Sequence, residues 1–244
     1  MRPSPFRDLR LLWEGLSRLT ARPGIFLGLT LLSTALAALG PLLRARLPLP
    51  ADPLVDGLVR GMALLPMELY ALPRLAAFLD AETVASASNP KEAWQATFEA
   101  RWWRSTASRL LLSLMVGLGL MLCIAPGLFA LLAFGWGPTR TLLRGDGILD
   151  GYRSSLKLMA RAWPRAVLVI GAALLLQMLL LSPFPLLHPE QALTLASLRS
   201  PWFWGEAIVG GALGVWFTSV ALALFQALEE SPRADSAPDQ PSGK

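Results

Sequence analysis

Between Leu110 and Thr139 the chain carries no charged side chain for thirty residues. In hydrocarbon every peptide N–H and C=O must find its partner within the chain, so a run like this crosses a bilayer as helix. A span needs about 20 apolar residues to cover about 30 Å. The run is therefore too long for one ordinary span. Pro126-Gly127 sits near its middle. Proline has no N–H to donate and glycine accepts positive φ, so the pair predicts a tight turn between two helices. Reading the run as one long helix instead gives five spans and puts the C-terminus across the membrane.

The rest of the sequence repeats the theme. Hydrophobic residues make up 54% of the 244, and charged residues 16%, against about 25% charged in soluble domains. Six spans are expected, at about 23–43, 58–79, 107–125, 127–143, 166–184 and 203–228. The second is the weakest, because it holds Arg60, Glu68 and Arg74. Residues 1–22 precede the six-span domain as an amphipathic cytoplasmic segment. Residues 229–244, polar and rich in Pro, Ser and Asp, are expected to be a disordered cytoplasmic tail. The first apolar run follows a long charged segment, so it reads as a retained helix and not a cleaved signal, despite Ala35-Leu36-Ala37.

Lys and Arg set the orientation. Arg2, Arg7, Arg10, Arg18 and Arg22 precede span one. Lys91, Arg101, Arg104 and Arg109 precede span three, and Arg140, Arg144, Arg153, Lys157, Arg161 and Arg165 precede span five. The opposite side has Arg44, Arg46, Arg60 and Arg199. Both termini are therefore expected in the cytoplasm.

The segments before the odd-numbered spans are amphipathic at helical spacing. The first has Phe6, Leu9, Leu12, Trp13, Leu16 and Leu19. The second opens on Asn89-Pro90 with Glu92 and carries Trp94, Phe98 and Trp102. The third has Tyr152, Leu156, Met159 and Trp163 beside Arg153, Lys157 and Arg161. Such helices either lie among lipid headgroups or pack on the cytoplasmic ends of the bundle. An amphipathic helix followed by two spans, three times over, suggests three degenerate repeats. The expected class is thus an all-α integral membrane protein.

Three stretches carry a family resemblance. They are Asn89-Pro90-Lys91-Glu92-Ala93-Trp94 with Arg101-Trp102-Trp103-Arg104, then Ile124-Ala125-Pro126-Gly127-Leu128-Phe129, then Gly145-Asp146-Gly147-Ile148-Leu149-Asp150-Gly151-Tyr152-Arg153-Ser154-Ser155-Leu156. Across roughly residues 89–180 the chain resembles the bacterial six-helix inner-membrane family that includes the membrane domain of glycerophosphoryl diester phosphodiesterases. The resemblance implies a membrane module of the bacterial cytoplasmic membrane. It does not carry the phosphodiesterase activity over: sixteen polar residues follow the last span, and His188 is the one histidine.

Among ionisable groups Glu68 stands out, near the middle of span two and flanked by Pro66 and Pro73. An acid at that depth is costly and often serves protons or cations. The plainer reading bonds it to a neighbouring helix or to water in a crevice. Gln177 is expected to hydrogen-bond between helices, and Gly210 and Gly214, beside Gly211, to let helices approach closely. Glu206 lies by Trp202 and Trp204 and is expected to be solvated at the interface. Arg101 and Arg104 anchor at the interface or, with Arg153 and Arg161, form a phosphate headgroup site. Cys123 reads as an inert small hydrophobe, and one cysteine excludes an intrachain disulfide. His188 reads as a loop residue, and Gly145-Asp146-Gly147 as a turn without the spacing of a phosphate loop.

No nucleophile–base pair, metal cluster or cofactor motif is recognisable, so catalysis is not expected. The basic residues follow membrane edges, so nucleic acid is not expected either. The leading expectation is a non-enzymatic scaffold or regulatory module that binds phospholipid and partners envelope membrane proteins or a second copy of itself. The alternative is a small-molecule or ion transporter using Glu68.

Overall fold

The computed structural model describes residues 5–48, 52–84, 90–183 and 194–235. Those residues are helical nearly throughout. The elements are α1 (Pro5–Thr20), α2 (Pro23–Arg46), α3 (Pro53–Pro66), a π-helical turn (Met67–Ala71), α4 (Leu72–Val84), α5 (Pro90–Leu122), α6 (Ile124–Phe134), α7 (Gly137–Leu143), α8 (Ile148–Leu181), a 3₁₀ turn (Leu195–Arg199) and α9 (Pro201–Asp235). Proline opens α1, α2, α3, α5 and α9, where its missing N–H would have no acceptor anyway.

Among the described residues, four helical segments are long and apolar enough to cross a membrane: Pro23–Arg46, Val55–Asp80, Ile148–Leu181 and Pro201–Glu229. They differ in what they face. Only 17% of the apolar window of α8 and 28% of that of α2 is buried within the chain, against 56% for α9. Leu27, Leu31, Leu175 and Met178 point outward, as a lipid solvent allows. α9 is the central rod. It packs on α1, α2, α4 and α8, with Val215, Leu224 and Phe225 fully buried.

The run from Leu110 folds into a hairpin, but the turn is not at Pro126-Gly127. The break falls at Cys123, which is extended (φ −171°, ψ 151°), and α6 starts at Ile124. Pro126 and Gly127 therefore occupy the first turn of α6. Proline is tolerated there, because the first turn's donors lack intrahelical acceptors. The two arms touch where glycines meet: a Cβ on Gly119 would lie 2.7 Å from the Gly127 Cα. The segment expected as one helix over 127–143 is broken at Gly135 and Trp136 into α6 and α7. α6 has 11 residues, about 16 Å of rise. Ser155 of α8 holds the break, its hydroxyl donating to the Ala133 carbonyl at 2.8 Å and accepting from the Trp136 N–H at 3.3 Å.

The amphipathic segments pack on the bundle. Leu11 and Leu19 of α1 are buried, and a Cβ on Gly15 would come 2.5 Å from the Val220 side chain of α9. Asp8 closes a 2.7 Å ion pair with Arg165 of α8. The second and third segments are not separate helices. One runs straight into the hairpin within α5, and the other continues through α8 past a kink at Ala162 (φ −125°, ψ 25°), two residues before Pro164. Asn89 lies outside the described residues. At the other end, α9 runs on to Asp235, past the 229 boundary expected for a disordered tail. Glu229 is held there by two arginines, described below.

Candidate functional site

Glu68 sits on the π-helical turn, and the prolines around it explain the local chain path. Pro73 cannot donate to the Leu69 carbonyl four residues earlier. In place of that bond, α5 supplies two donors to the same oxygen: the Trp102 indole N–H at 2.9 Å and the Thr106 hydroxyl at 3.4 Å. Just before it, the Leu72 N–H reaches back five residues to the Met67 carbonyl, the π pattern that often marks functional sites. Tyr70 of this turn meets Phe98 and Trp102 edge-on, at 5.3 and 5.8 Å between ring centres. The aromatic stripe of the second amphipathic segment thus buttresses the turn that carries Glu68.

On one side Glu68 borders a crevice of ≈ 280 Å³ shared by α2, α3, α8 and α9. Its wall includes Ser33, Arg60, Gln177, Glu206, Gly210 and Gly214. The structure thereby gathers Glu68, Gln177, Gly210 and Gly214 at one place. Glu206 is not simply solvated as expected: Arg60 donates to it at 3.1 Å and ties α3 to α9. The glycines divide their work. A Cβ on Gly211 would meet the Ser33 Cβ at 3.0 Å, so Gly211 makes the close approach to α2. A Cβ on Gly214 would meet nothing within 4 Å, and one on Gly210 only a Leu181 methyl at 3.9 Å. The expected packing pair instead leaves the crevice open.

On its other side Glu68 borders a second crevice of ≈ 470 Å³, with Arg109 and Ser113 of α5, Trp136, Thr139 of α7 and Thr218 of α9 on its wall. Among the described residues, Glu68 and Leu72 line both spaces. Arg109 and Glu68 act on each other electrostatically. The Arg109 Nε is nonetheless buried without a hydrogen-bond acceptor, an expensive condition for a charged donor.

The crevices lie toward opposite ends of the long helices. Arg60 and Leu64 of the first precede Glu68 along the α3–α4 rod, and Ala76 of the second follows it. At the far end sits a charged network. Asp80, nearly buried, accepts from Arg144 at 3.0 Å and from the Gln226 amide at 2.9 Å. Glu229 bridges Arg140 at 2.8 Å and Arg144 at 2.7 Å, and Arg140 also reaches Asp146 at 2.7 Å. Arg18 of α1 joins through Gln226 at 2.7 Å. Burial alone would weaken the Arg144 charge. The hydrogen bonds and charges of Glu229 and Asp80 outweigh it and hold the guanidinium above its ordinary pKa.

The four arginines considered for a headgroup site do not converge. Arg101 donates to the Leu143 carbonyl at 3.0 Å, completing the C-terminus of α7 where positive charge suits the helix dipole. It packs so tightly on Gly145 (φ +76°) that a Cβ there would lie 2.9 Å from its Cζ. Arg104 and Arg161 are exposed, and Arg153 makes a loose 3.6 Å pair with Asp150, both largely exposed. Consecutive residues on a helix diverge by about 100°; accordingly Trp102 turns inward while Trp103 is 63% exposed. In the later stretch, Tyr152 stacks over Gly137 and hydrogen-bonds the Ser108 carbonyl, a packing role. Cys123 is exposed at the hairpin tip. His188 lies outside the described residues.

In the sequence Arg109, Arg140 and Arg144 read as topology markers, and nothing local singles out Asp80 or Glu229. A usable signal was there for Arg109: it is the last charge before the uncharged run, hence the deepest cation that α5 could offer an acid in mid-span. Among the described residues no cluster of three or more His, Cys, Asp or Glu side chains could hold a metal ion. No protein-family model matches the chain, and neither a curated protein nor a solved structure shows significant similarity to it.

Proposed function

We propose that this chain is a transport protein of the bacterial cytoplasmic membrane, non-enzymatic, with six spans and both termini in the cytoplasm, and that Glu68 is its ligand-binding acid. The observation that carries the reading is that one carboxylate, on an irregular turn between two prolines, lines two crevices directed to opposite ends of the bundle. A scaffold needs no such acid, so the geometry favours transport over the scaffold role. Irregular backbone and ionisable groups in a membrane are tolerated where they border a wet cavity, and there they serve ligands. The α5–α6–α7 hairpin supplies spans three and four, and the Arg-rich Asp80 end faces the cytoplasm. Kinship with the phosphodiesterase membrane-domain family and a threefold repeat are part of this proposal and rest on the sequence pattern.

The test is transport in proteoliposomes containing the full chain. Glu68→Gln keeps size and hydrogen bonding but removes the charge. It is expected to abolish saturable uptake of small cations while the protein still elutes as a folded species. Wild-type uptake by this variant would sink the reading.

A separate observation favours phospholipid association. A groove of ≈ 450 Å³ runs between α2 and α4, lined by Gly24, Gly28, Leu32, Leu75, Phe78 and Arg74. Cβ atoms at Gly24 or Gly28 would touch nothing within 4 Å, so the groove is open beside them. It suits an acyl chain, with a lipid phosphate at Arg74. Native mass spectrometry with anionic lipid should show retained lipid on the wild type and less on Arg74→Gln; equal retention rejects the assignment.

A further inference from the structure

We infer that the crevice at the Arg60 end is a monovalent-cation site, and that Arg109 is a tethered cation that competes for Glu68 and empties it. This rests on the reading of Glu68 as the ligand-binding acid.

The charges on the two sides of Glu68 differ. Toward Arg60, the positive Arg60 is already matched by Glu206 at 3.1 Å. Glu68, when ionised, is then the acid that no base on that wall matches, Arg109 lying on the other side. That suits a single positive charge, with the Gln177 amide and Ser33 hydroxyl as neutral oxygen donors on the same wall. A divalent ion would call for more carboxylates. Toward Arg109, the same carboxylate faces a guanidinium, and the acid and base balance. Arg109 meanwhile has a buried Nε that lacks an acceptor. One acid thus has two claimants, a solute cation on one side and Arg109 on the other, and it cannot satisfy both fully.

The chain around Glu68 suits such a choice. Its turn is π-helical, and the carbonyl freed by Pro73 is held by Trp102 and Thr106 of α5, the helix that bears Arg109. Those bonds set the position of α5 against the turn, and with it the Glu68–Arg109 separation. When Glu68 takes a solute cation, Arg109 is left without its counter-charge. When Arg109 recaptures Glu68, the cation is released. Competition of this kind taxes apparent affinity by the fraction of time Arg109 holds the acid.

The experiment uses the full chain with Cys123→Ser as background and a single new cysteine, Ser113→Cys. Ser113 lies one turn beyond Arg109 on α5 and borders the same crevice. An uncompensated Arg109 attracts an anionic thiol reagent and repels a cationic one. The ratio of anionic to cationic modification rates should therefore rise severalfold on adding sodium. In Arg109→Gln the ratio should not respond to sodium, and apparent sodium affinity should tighten about tenfold if Arg109 holds the acid about nine-tenths of the time. Arg109→Lys, which keeps the charge, should restore the sodium response. If the ratio does not move in the Arg109 protein while sodium binding is measured and is lost in Glu68→Gln, the competition is refuted and the Glu68 site stands. If Glu68→Gln binds sodium as the wild type does, the Glu68 reading falls with it.

Discussion

The two ends of the bundle are closed by different means. At the Arg60 end one ion pair joins α3 to α9 with both side chains about a third exposed, 38% and 34%, and a second, Arg44–Asp56 at 2.8 Å, joins α2 to α3. At the Asp80 end three acids, three arginines and a glutamine link α1, α4, α7 and α9. Exposed pairs contribute about 0–1 kcal/mol, whereas removing one partner of a buried, hydrogen-bonded pair costs about 3–5 kcal/mol. The α3–α9 contact at Arg60 is therefore the easier one to open, and the Asp80 network is the anchor around which it would do so. That asymmetry agrees with the charges on the two walls: beside the Arg60–Glu206 pair Glu68 is an acid in excess, and its own base, Arg109, stands in the other crevice.

The contrast can be broken most forcefully at Asp80. Asp80→Ala takes the buried acceptor from the Gln226 amide and leaves Arg144 with Glu229 alone, and should lower unfolding stability in detergent by about 3 kcal/mol. A loss below about 1 kcal/mol would put the network in the same class as an exposed pair. Next in size is the turn between the ends. Trp102→Phe removes the principal donor to the Leu69 carbonyl and should cost about 1–3 kcal/mol, read by thermal melting, with Thr106→Val adding less. The glycines sharpen the picture further. Gly211→Ala forces a Cβ to 3.0 Å from Ser33 and should cost about 1–3 kcal/mol by overpacking. Gly214→Ala should leave melting within about 0.5 kcal/mol, yet it should slow cation uptake by narrowing the crevice. The smallest expected effect on stability is at Arg60. Arg60→Gln should shift it by about 0–1 kcal/mol, while thiol labelling of Ser33→Cys from that side should rise. Stability changes at Arg60 should also shrink in high salt, and those at Asp80 should not.

Particular residues show how far the sequence could be read. Glu68 stood out because an acid amid apolar residues is anomalous by itself. Pro73 announced a freed carbonyl, but nothing local said that Trp102 and Thr106 would take it up. Pro126-Gly127 marked the hairpin within a few residues. The reversal moved to Cys123 because proline fits a helix start and Gly119 had to meet Gly127 across the turn. Gly210, Gly211 and Gly214 look equivalent in sequence. Only the approach of α2 decided which one packs and which two leave space.

By itself, then, the sequence determined the helical, membrane-crossing class and the one mid-span acid worth testing. Both follow from the local cost of placing peptide groups and charge in hydrocarbon. The tertiary structure decided the rest: that Arg109 and Glu68 border one crevice, that Arg60 answers Glu206, and that Asp80 and Glu229 tie α4, α7 and α9 together. Those pairings join residues 41 to 146 positions apart. Charge interactions of that kind are fixed by how helices pack, and no local pattern of hydrophobicity encodes them.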